Sequence, residues 1–296
     1  MSGPVLGVLV AEGAAAFARA GIECAELEAR LLAQHVFGLN RAGLIVHERD
    51  TAGDGAAARF TALVSRRLSR EPLAYILGER EFWGLPFSVS RDVLIPRPET
   101  EFLVEQALAS SRAAGADASW QALDLGTGSG VIAVVLAREL GCRVTAVDRS
   151  AAALKVAAEN ARRHGVAERI AFVRGDCFAA LPAGARYDVL VSNPPYVSAR
   201  EMAALAPEVG CFEPRSALFG GPDGLDCLSA ISRNAGPFLR PGAGLFLEIG
   251  ATQAEAVRSL FTASSSYEDV RILPDLAGRS RVLAARAPHE ADPESF

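Results

Sequence analysis

The sequence is poor in several residue types, and each scarcity closes off a class of protein. Its five cysteines, Cys24, Cys142, Cys177, Cys211 and Cys227, are odd in number, scattered and never spaced C-x-x-C. That excludes a disulfide framework and a thiolate zinc site, and it fits free thiols in a reducing cytoplasm. The four histidines, His35, His47, His164 and His289, match no metal-ligand spacing, so no metal is expected. No apolar run reaches the ~18 residues of a membrane span, and no charged segment followed by an apolar run opens the chain. Neither a membrane partner nor a signal peptide is therefore expected. Basic excess is lacking too. The formal net charge is −5, which gives no bulk hold on a nucleic-acid backbone, so no direct nucleic-acid partner is expected. Lys155 is the only lysine, a feature we read as coding bias and not as function.

What remains is an ordinary globular composition, 50% hydrophobic and 22% charged. A length of 296 residues suggests two domains. Residues 1 to about 76 read as a helix bundle. Ala25–Leu39 carries Leu27, Leu31, Leu32 and Val36 at helical spacing and ends near Gly38, and Val5–Ala20 and Ala56–Leu68 show similar stripes. Acids and arginines balance over this segment, so the net charge lies in the remainder.

The texture then changes. Glu81–Ile95 holds two short β-prone runs around Gly84-Leu85-Pro86, which predicts a hairpin turning at those residues. A helix follows Pro96 and Pro98. Pro98 suits its first turn, and Glu99 and Glu101 suit the positive end of its dipole. From Trp120 onward strands and helices alternate, which predicts a mainly parallel sheet covered on both faces. The last two strands, near Val270 and Val282, have no long helix between them and predict an antiparallel edge.

Asp124-Leu125-Gly126-Thr127-Gly128-Ser129-Gly130 follows a strand and opens a helix. Glycines there permit a tight turn and a close ligand approach. The spacing is G-x-G-x-G, with Val131 where a dinucleotide fingerprint has its third glycine. Asp148 closes the next strand, where a carboxylate can accept two ribose hydroxyls. The combination resembles the S-adenosylmethionine (SAM) loop of class I methyltransferases more than a nicotinamide site. A glycine-rich turn without a ligand is the alternative. Asp176 and Cys177, after the third strand, stand where an adenine is held in that fold, although an acid there also reads as a turn residue.

Asn193-Pro194-Pro195-Tyr196 follows the fourth strand. Two prolines fix the backbone, remove two donors and push Asn193 out of the helical region. The result is a stiff edge with the Asn193 side-chain oxygen, the Pro194 carbonyl and an aromatic face. Two acceptors suit a planar NH2 group, and they stabilise positive charge that develops on its nitrogen. This motif is similar to that of methyltransferases acting on adenine N6, cytosine N4 or glutamine N5. By itself it does not choose among them.

Further segments narrow the resemblance. Glu81-Phe82-Trp83-Gly84-Leu85-Pro86-Phe87, Leu94-Ile95-Pro96-Arg97-Pro98-Glu99-Thr100-Glu101, the two motifs above, Phe212-Glu213-Pro214 and Gly221-Pro222-Asp223-Gly224-Leu225 together resemble the release-factor glutamine methyltransferases, the PrmC/HemK family. The resemblance runs from about Pro72 to Arg286 and is most specific at IPRPETE. It implies methyl transfer from SAM, leaving S-adenosylhomocysteine, to the glutamine N5 of a Gly-Gly-Gln motif in peptide chain release factors.

Carried onto this sequence, Gly126, Thr127, Gly128, Ser129, Gly130 and Asp148 bind SAM, with Asp176 and Cys177 near the adenine. Asn193, Pro194, Pro195 and Tyr196 hold the glutamine amide. Arg97 and Glu99 either wall the substrate site or form a salt-bridged helix start. Cys177 departs from the bulkier aromatic of some members, which leaves Phe178 as the other candidate to stack on adenine. Glu248, ending a late strand, reads as a structural hydrogen-bonding residue.

The implied fold is a class I SAM-dependent methyltransferase, an α/β Rossmann-like domain, plus a small all-helical N-terminal domain. The implied division is 1–76 for helices that dock the release factor, 77–97 for a hairpin linker, 98–287 for the methyltransferase domain and 288–296 for a polar tail. An N6-adenine methyltransferase acting on DNA or RNA is the alternative. It would need a basic groove, and the acidity of the chain counts against it.

Overall fold

Five helices precede any strand: α1 (Leu6–Arg19), α2 (Ala25–Phe37), α3 (Arg41–Val46), α4 (Asp54–Leu68) and α5 (Leu73–Leu77). We describe residues 3–289 of a computed structural model. Apolar stripes explain α1, α2 and α4, which bury Phe17, Leu32, Phe60 and Val64 in one cluster. Gly38 ends α2 in a left-handed conformation, and the Asn40 side chain caps α3 by accepting from the Gly43 amide. The pieces α3 and α5 are too short to show a period, and the sequence did not reveal them.

The chain forms two compact units. One holds residues up to Glu79 together with Ala206–Phe212, and the other holds Arg80–Leu205 and the residues from Glu213 onward. A buried arginine explains the detour. Arg67 in α4 reaches Glu28 in α2 at 2.6 Å and Glu208 at 3.1 Å, and Arg70 reaches Glu208 at 3.2 Å. Burying that guanidinium requires carboxylate partners, and the 206–212 segment supplies one.

A hairpin of β1 (Glu79–Phe82) and β2 (Leu85–Ser88) leads the chain into the second unit. Its turn is Trp83-Gly84, not the expected Gly-Leu-Pro. Both residues have positive φ, 57° and 66°, as a two-residue hairpin loop demands. Pro86 cannot take positive φ and sits in β2, in a sheet of only two strands where a missing donor is tolerated. The Trp83 amide donates to Glu101 at 2.8 Å, which holds the strained residue. Of the expected linker, 77–97, residues 80–97 cluster with this second unit and 77–79 with the helical one. Asn160 accepts from the Ser88 amide at 2.8 Å and donates to the Ser88 carbonyl at 3.0 Å.

Helix α6 (Pro98–Ala113) leads into the main sheet. The succession is β3 (Gln121–Leu125), α7 (Val131–Leu140), β4 (Arg143–Asp148), α8 (Ala151–Arg163), β5 (Ile170–Arg174) and β6 (Tyr187–Ser192). Three short helices follow, α9 (Ala199–Met202), α10 (Pro207–Gly210) and α11 (Arg215–Leu218). The chain continues with α12 (Asp226–Asn234), β7 (Leu239–Glu248), α13 (Ala254–Thr262), β8 (Glu268–Pro274) and β9 (Ser280–Arg286).

The strand order is β5-β4-β3-β6-β7-β9-β8. The first five strands are parallel, and β9 runs antiparallel to β7 and β8. Alternation splits the core as a two-sided sheet should. Ala122, Val189 and Val191 face the cluster of α6 and α7, while Leu123, Leu125 and Leu190 face that of α12 and α13. Parallel order places the ends of β3, β4, β5 and β6 on one rim, where the loops carry the candidate residues. Most of the expected polar tail, residues 290–296, lies outside the described residues.

Candidate active site

The loop after β3 is built by its glycines. Gly126, Gly128 and Gly130 all have positive φ, at 73°, 54° and 83°. The Gly126 and Thr127 amides both donate to the Val147 carbonyl, and the Gly128 amide donates to Asp148 at 2.9 Å. A Cβ at Gly126 or Gly128 would meet no protein atom closer than 3.9 Å. Those two positions keep open space. Gly130 differs, because a Cβ there would stand 2.9 Å from the Ala157 Cβ of α8. Its role is close helix packing, and it is not part of the cavity lining.

Asp124 braces the loop from beneath. It accepts from the Thr127 hydroxyl at 2.6 Å and from the Ala133 amide at 3.1 Å. Its other oxygen is buried with no partner. Burial pushes this carboxyl up to about 7, against the pull of those two bonds.

A cavity of about 700 Å³ opens over the rim. Gly126, Thr127, Gly128, Ser129, Asp148, Asp176 and Cys177 line it, and so do Asn193, Pro194, Pro195 and Arg97. Glu99 is exposed and lies outside the lining, and Tyr196 is likewise outside it. Phe178, the other candidate for adenine, is buried and stacks on Phe238 with centroids 5.1 Å apart. Cys177 thus faces the cavity and its neighbour faces the core. The neighbouring Cys227 thiol holds that of Cys177 below its ordinary range.

The Asn193 edge is held from behind. Asn193 Nδ2 donates to the Thr100 hydroxyl at 3.0 Å. Thr100 donates to Glu248 Oε2 at 2.7 Å, and the Tyr196 hydroxyl donates to Glu248 Oε1 at 3.0 Å. Burial pushes the Glu248 carboxyl up, while Thr100, Tyr196 and the charge of Arg281 pull it down. Burial and the nearby Glu248 charge push the Tyr196 phenol above its ordinary value, so it stays a donor. Glu248 fits the structural hydrogen-bonding reading, and its two partners sit directly behind the candidate edge.

The 218–224 segment supports the same edge. The Val197 amide donates to the Leu218 carbonyl, and the Gly220 amide donates to the Val197 carbonyl, both at 2.9 Å. A Cβ at Gly220 would stand 2.5 Å from the Pro195 carbonyl oxygen, so only glycine fits. Gln253 donates to the Tyr196 carbonyl at 3.0 Å. The Pro194 carbonyl accepts no hydrogen bond from the described residues. Behind Arg97, which lines the cavity, Glu213 accepts from the Ile95 amide at 3.0 Å and pairs with Arg97 at 2.5 Å.

Sequence reasoning did not single out Thr100, Gln253, Gly220 or Asp226 as site residues. Thr100 and Asp226 both line the cavity. Thr100 lies within IPRPETE and Asp226 directly follows GPDGL, but nothing local marked either. Among the described residues no group of three or more His, Cys, Asp or Glu side chains could hold a metal ion. Among them too, no helix is long and apolar enough to cross a membrane.

Comparisons with known proteins now bear on this geometry. A profile described as the PrmC N-terminal domain matches residues 9–78, and one described as the methyltransferase small domain matches residues 99–208. A release factor glutamine methyltransferase of Cereibacter sphaeroides is 50% identical, covering 92% of this chain and 94% of its own length. One from Bordetella pertussis is 48% identical, covering 86% and 93%.

Among solved structures, a methyltransferase from Pyrococcus furiosus aligns with a TM-score of 0.52 at 17% identity, over 76% of this chain and 97% of that one. The hMettl16 catalytic domain, solved with a 3'UTR hairpin, aligns with a TM-score of 0.55 at 16% identity, over 86% and 87%. Sheet order, glycine loop and rim cavity define a class I SAM-dependent methyltransferase. Within that class, the chain belongs to the release factor glutamine methyltransferase family.

Proposed function

We propose that the protein methylates the N5 side-chain nitrogen of the glutamine in the Gly-Gly-Gln motif of peptide chain release factors. The observation that carries this reading is a shared cavity. The glycine loop, Asp148 and the Asn193-Pro194-Pro195 edge all open onto it. The residues present fit SAM, because Gly126 and Gly128 leave room that any Cβ would take. SAM, when bound, supplies an electrophilic methyl group.

The chain's own residues do the rest. Asp148 spends one lone pair of each oxygen on the Gly128 and Ser150 amides and offers the others to ribose hydroxyls. Asp176 and the Cys177 backbone hold the adenine edge. Asn193 Oδ1 and the Pro194 carbonyl accept the two N–H bonds of the glutamine amide. An amide nitrogen is a poor nucleophile because its lone pair is delocalised. Two acceptors favour the pyramidal form and stabilise charge developing on nitrogen. Fixed placement adds more, since positioning alone is worth ~7–11 kcal/mol in favourable cases. Tyr196 holds the edge from behind through Glu248. The methylated nitrogen then loses its proton to water.

The helical unit is the proposed docking surface for the release factor. A groove of about 470 Å³ runs along it, lined by Val10, Ala14, Leu44 and Ile45 among others, with Arg30, Arg41, Glu26 and Glu48 at its polar positions. Val8, Leu27, Ile45 and Val46 are exposed apolar residues of the same unit. Release factors act in the cytoplasm, which is the proposed compartment.

Asn193→Ala tests the assignment. Transfer to release factor should be abolished while calorimetric SAM affinity stays within about threefold. Equal loss of both would remove Asn193 from the substrate side.

A further inference from the structure

We infer that Glu248 and Thr100 are positioning residues that fix which end of the Asn193 amide faces the substrate. The inference rests on the role of Asn193 proposed above and deepens it.

A side-chain amide has a donor end and an acceptor end of nearly the same shape, so packing alone does not orient it. Only the acceptor end can receive an NH2 group. Something must therefore choose, and the choice has to come from behind the edge.

The chain of hydrogen bonds makes that choice by polarity. When ionised, as its two hydroxyl donors and the charge of Arg281 favour, Glu248 has acceptors only. Both oxygens of Glu248 are met by hydroxyls, Thr100 on one and Tyr196 on the other. The single proton of the Thr100 hydroxyl is committed to Glu248. Its oxygen is left with lone pairs alone, so the group facing it must be a donor. That group is Asn193 Nδ2, at 3.0 Å. Oδ1 is thereby turned away from Thr100 and toward the cavity that Asn193 lines.

Glu248 is 1% exposed and Thr100 is 2% exposed, so water does not compete for these bonds. The two residues lie 148 positions apart, on β7 and α6. Neither has to touch the substrate amide for this effect.

Glu248→Gln reverses the logic. Its NH2 end can face Thr100, whose proton then points at Asn193 and draws Oδ1 back from the cavity. Thr100→Val keeps the shape and removes the relay. Each variant should lower kcat by about 10²-fold, the scale for losing one preorganised polar contact. SAM affinity by calorimetry should change little, while Thr100→Val, which leaves Glu248 Oε2 without its donor, should also lower the melting temperature. Thr100→Ser, which keeps the hydroxyl, should restore most of the rate lost in Thr100→Val. Combining Glu248→Gln with Thr100→Val should cost no more than Thr100→Val alone.

Asn193→Ala separates the two claims. If it is inactive while Glu248→Gln and Thr100→Val both turn over at the normal kcat, the relay is wrong and the Asn193 assignment stands. If Asn193→Ala itself retains full activity, the assignment beneath the relay fails. If Glu248→Gln does not fold, the Thr100→Val and Thr100→Ser pair decides alone. Failure of serine to restore the rate contradicts the relay.

Discussion

Asp148 accepts the Gly128 amide at 2.9 Å, which ties the end of β4 to the glycine loop that follows β3. The same carboxylate caps the next turn through the Ser150 amide at 2.8 Å. One residue therefore shapes the loop and presents its remaining lone pairs to a ligand. Asp148→Ala should weaken SAM binding by about 10–100-fold, the scale for hydrogen bonds to a charged group. Asp148→Asn should lose less. Titration calorimetry checks both, and unchanged affinity in the alanine variant speaks against the ribose role.

Gly130 makes a different prediction from its two neighbours in the loop. Its φ is 83°, and a Cβ would press on both Cβ and Cα of Ala157. Gly130→Ala should destabilise the protein by about 1–3 kcal/mol through strain and overpacking. Denaturant unfolding reads this as a lower midpoint. Pairing it with Ala157→Gly should recover part of the loss, and no recovery would mean that α8 is not what Gly130 accommodates.

The Arg97–Glu213 pair is unequal, and the inequality is testable. The Arg97 side chain is 29% exposed, whereas that of Glu213 is 1% exposed. Arg97→Met strands a buried carboxylate and should cost about 2–4 kcal/mol. Adding Glu213→Gln removes that charge and keeps an acceptor for the Ile95 amide. The double variant should therefore be more stable than Arg97→Met alone. A double variant less stable than either single change contradicts this account of the wall.

Asp124 sets a pH signature. Burial holds its proton up to about pH 7 in the folded protein, while the unfolded chain releases it near the ordinary carboxylate value of ~4. Between those limits the folded state binds more protons, so rising pH removes stability at this residue. Asp124→Asn has no proton to lose. Its stability relative to the parent should climb with pH from about 4 to about 7, by up to about 4 kcal/mol, and level off on either side. A difference that does not vary with pH would count against the buried-acid description.

The parts legible in sequence were those with a local signature. The glycine loop announces itself because only glycine takes three positive φ values in five residues, between a strand and a helix. The Asn-Pro-Pro-Tyr edge is legible because proline removes donors wherever it stands. The antiparallel edge follows from two strands with no long helix between them. Long-range polar pairing was not legible. Thr100 reaches Glu248 across 148 positions, and Arg67 reaches Glu208 across 141. Nothing near either residue tells which carboxylate it will meet. Trp83 hides the turn in another way, since a bulky residue with positive φ is uncommon, and the expected turn falls one residue late.

The central claim is that this cavity methylates a protein amide and not a base. Incubation with methyl-labelled SAM, purified release factor and, in parallel, DNA and RNA tests it most directly, with the modified species mapped by mass spectrometry. The account predicts a single methyl on the glutamine of the Gly-Gly-Gln peptide, absent with Asn193→Ala. Label on adenine, with the Gly-Gly-Gln peptide unmodified, would contradict it.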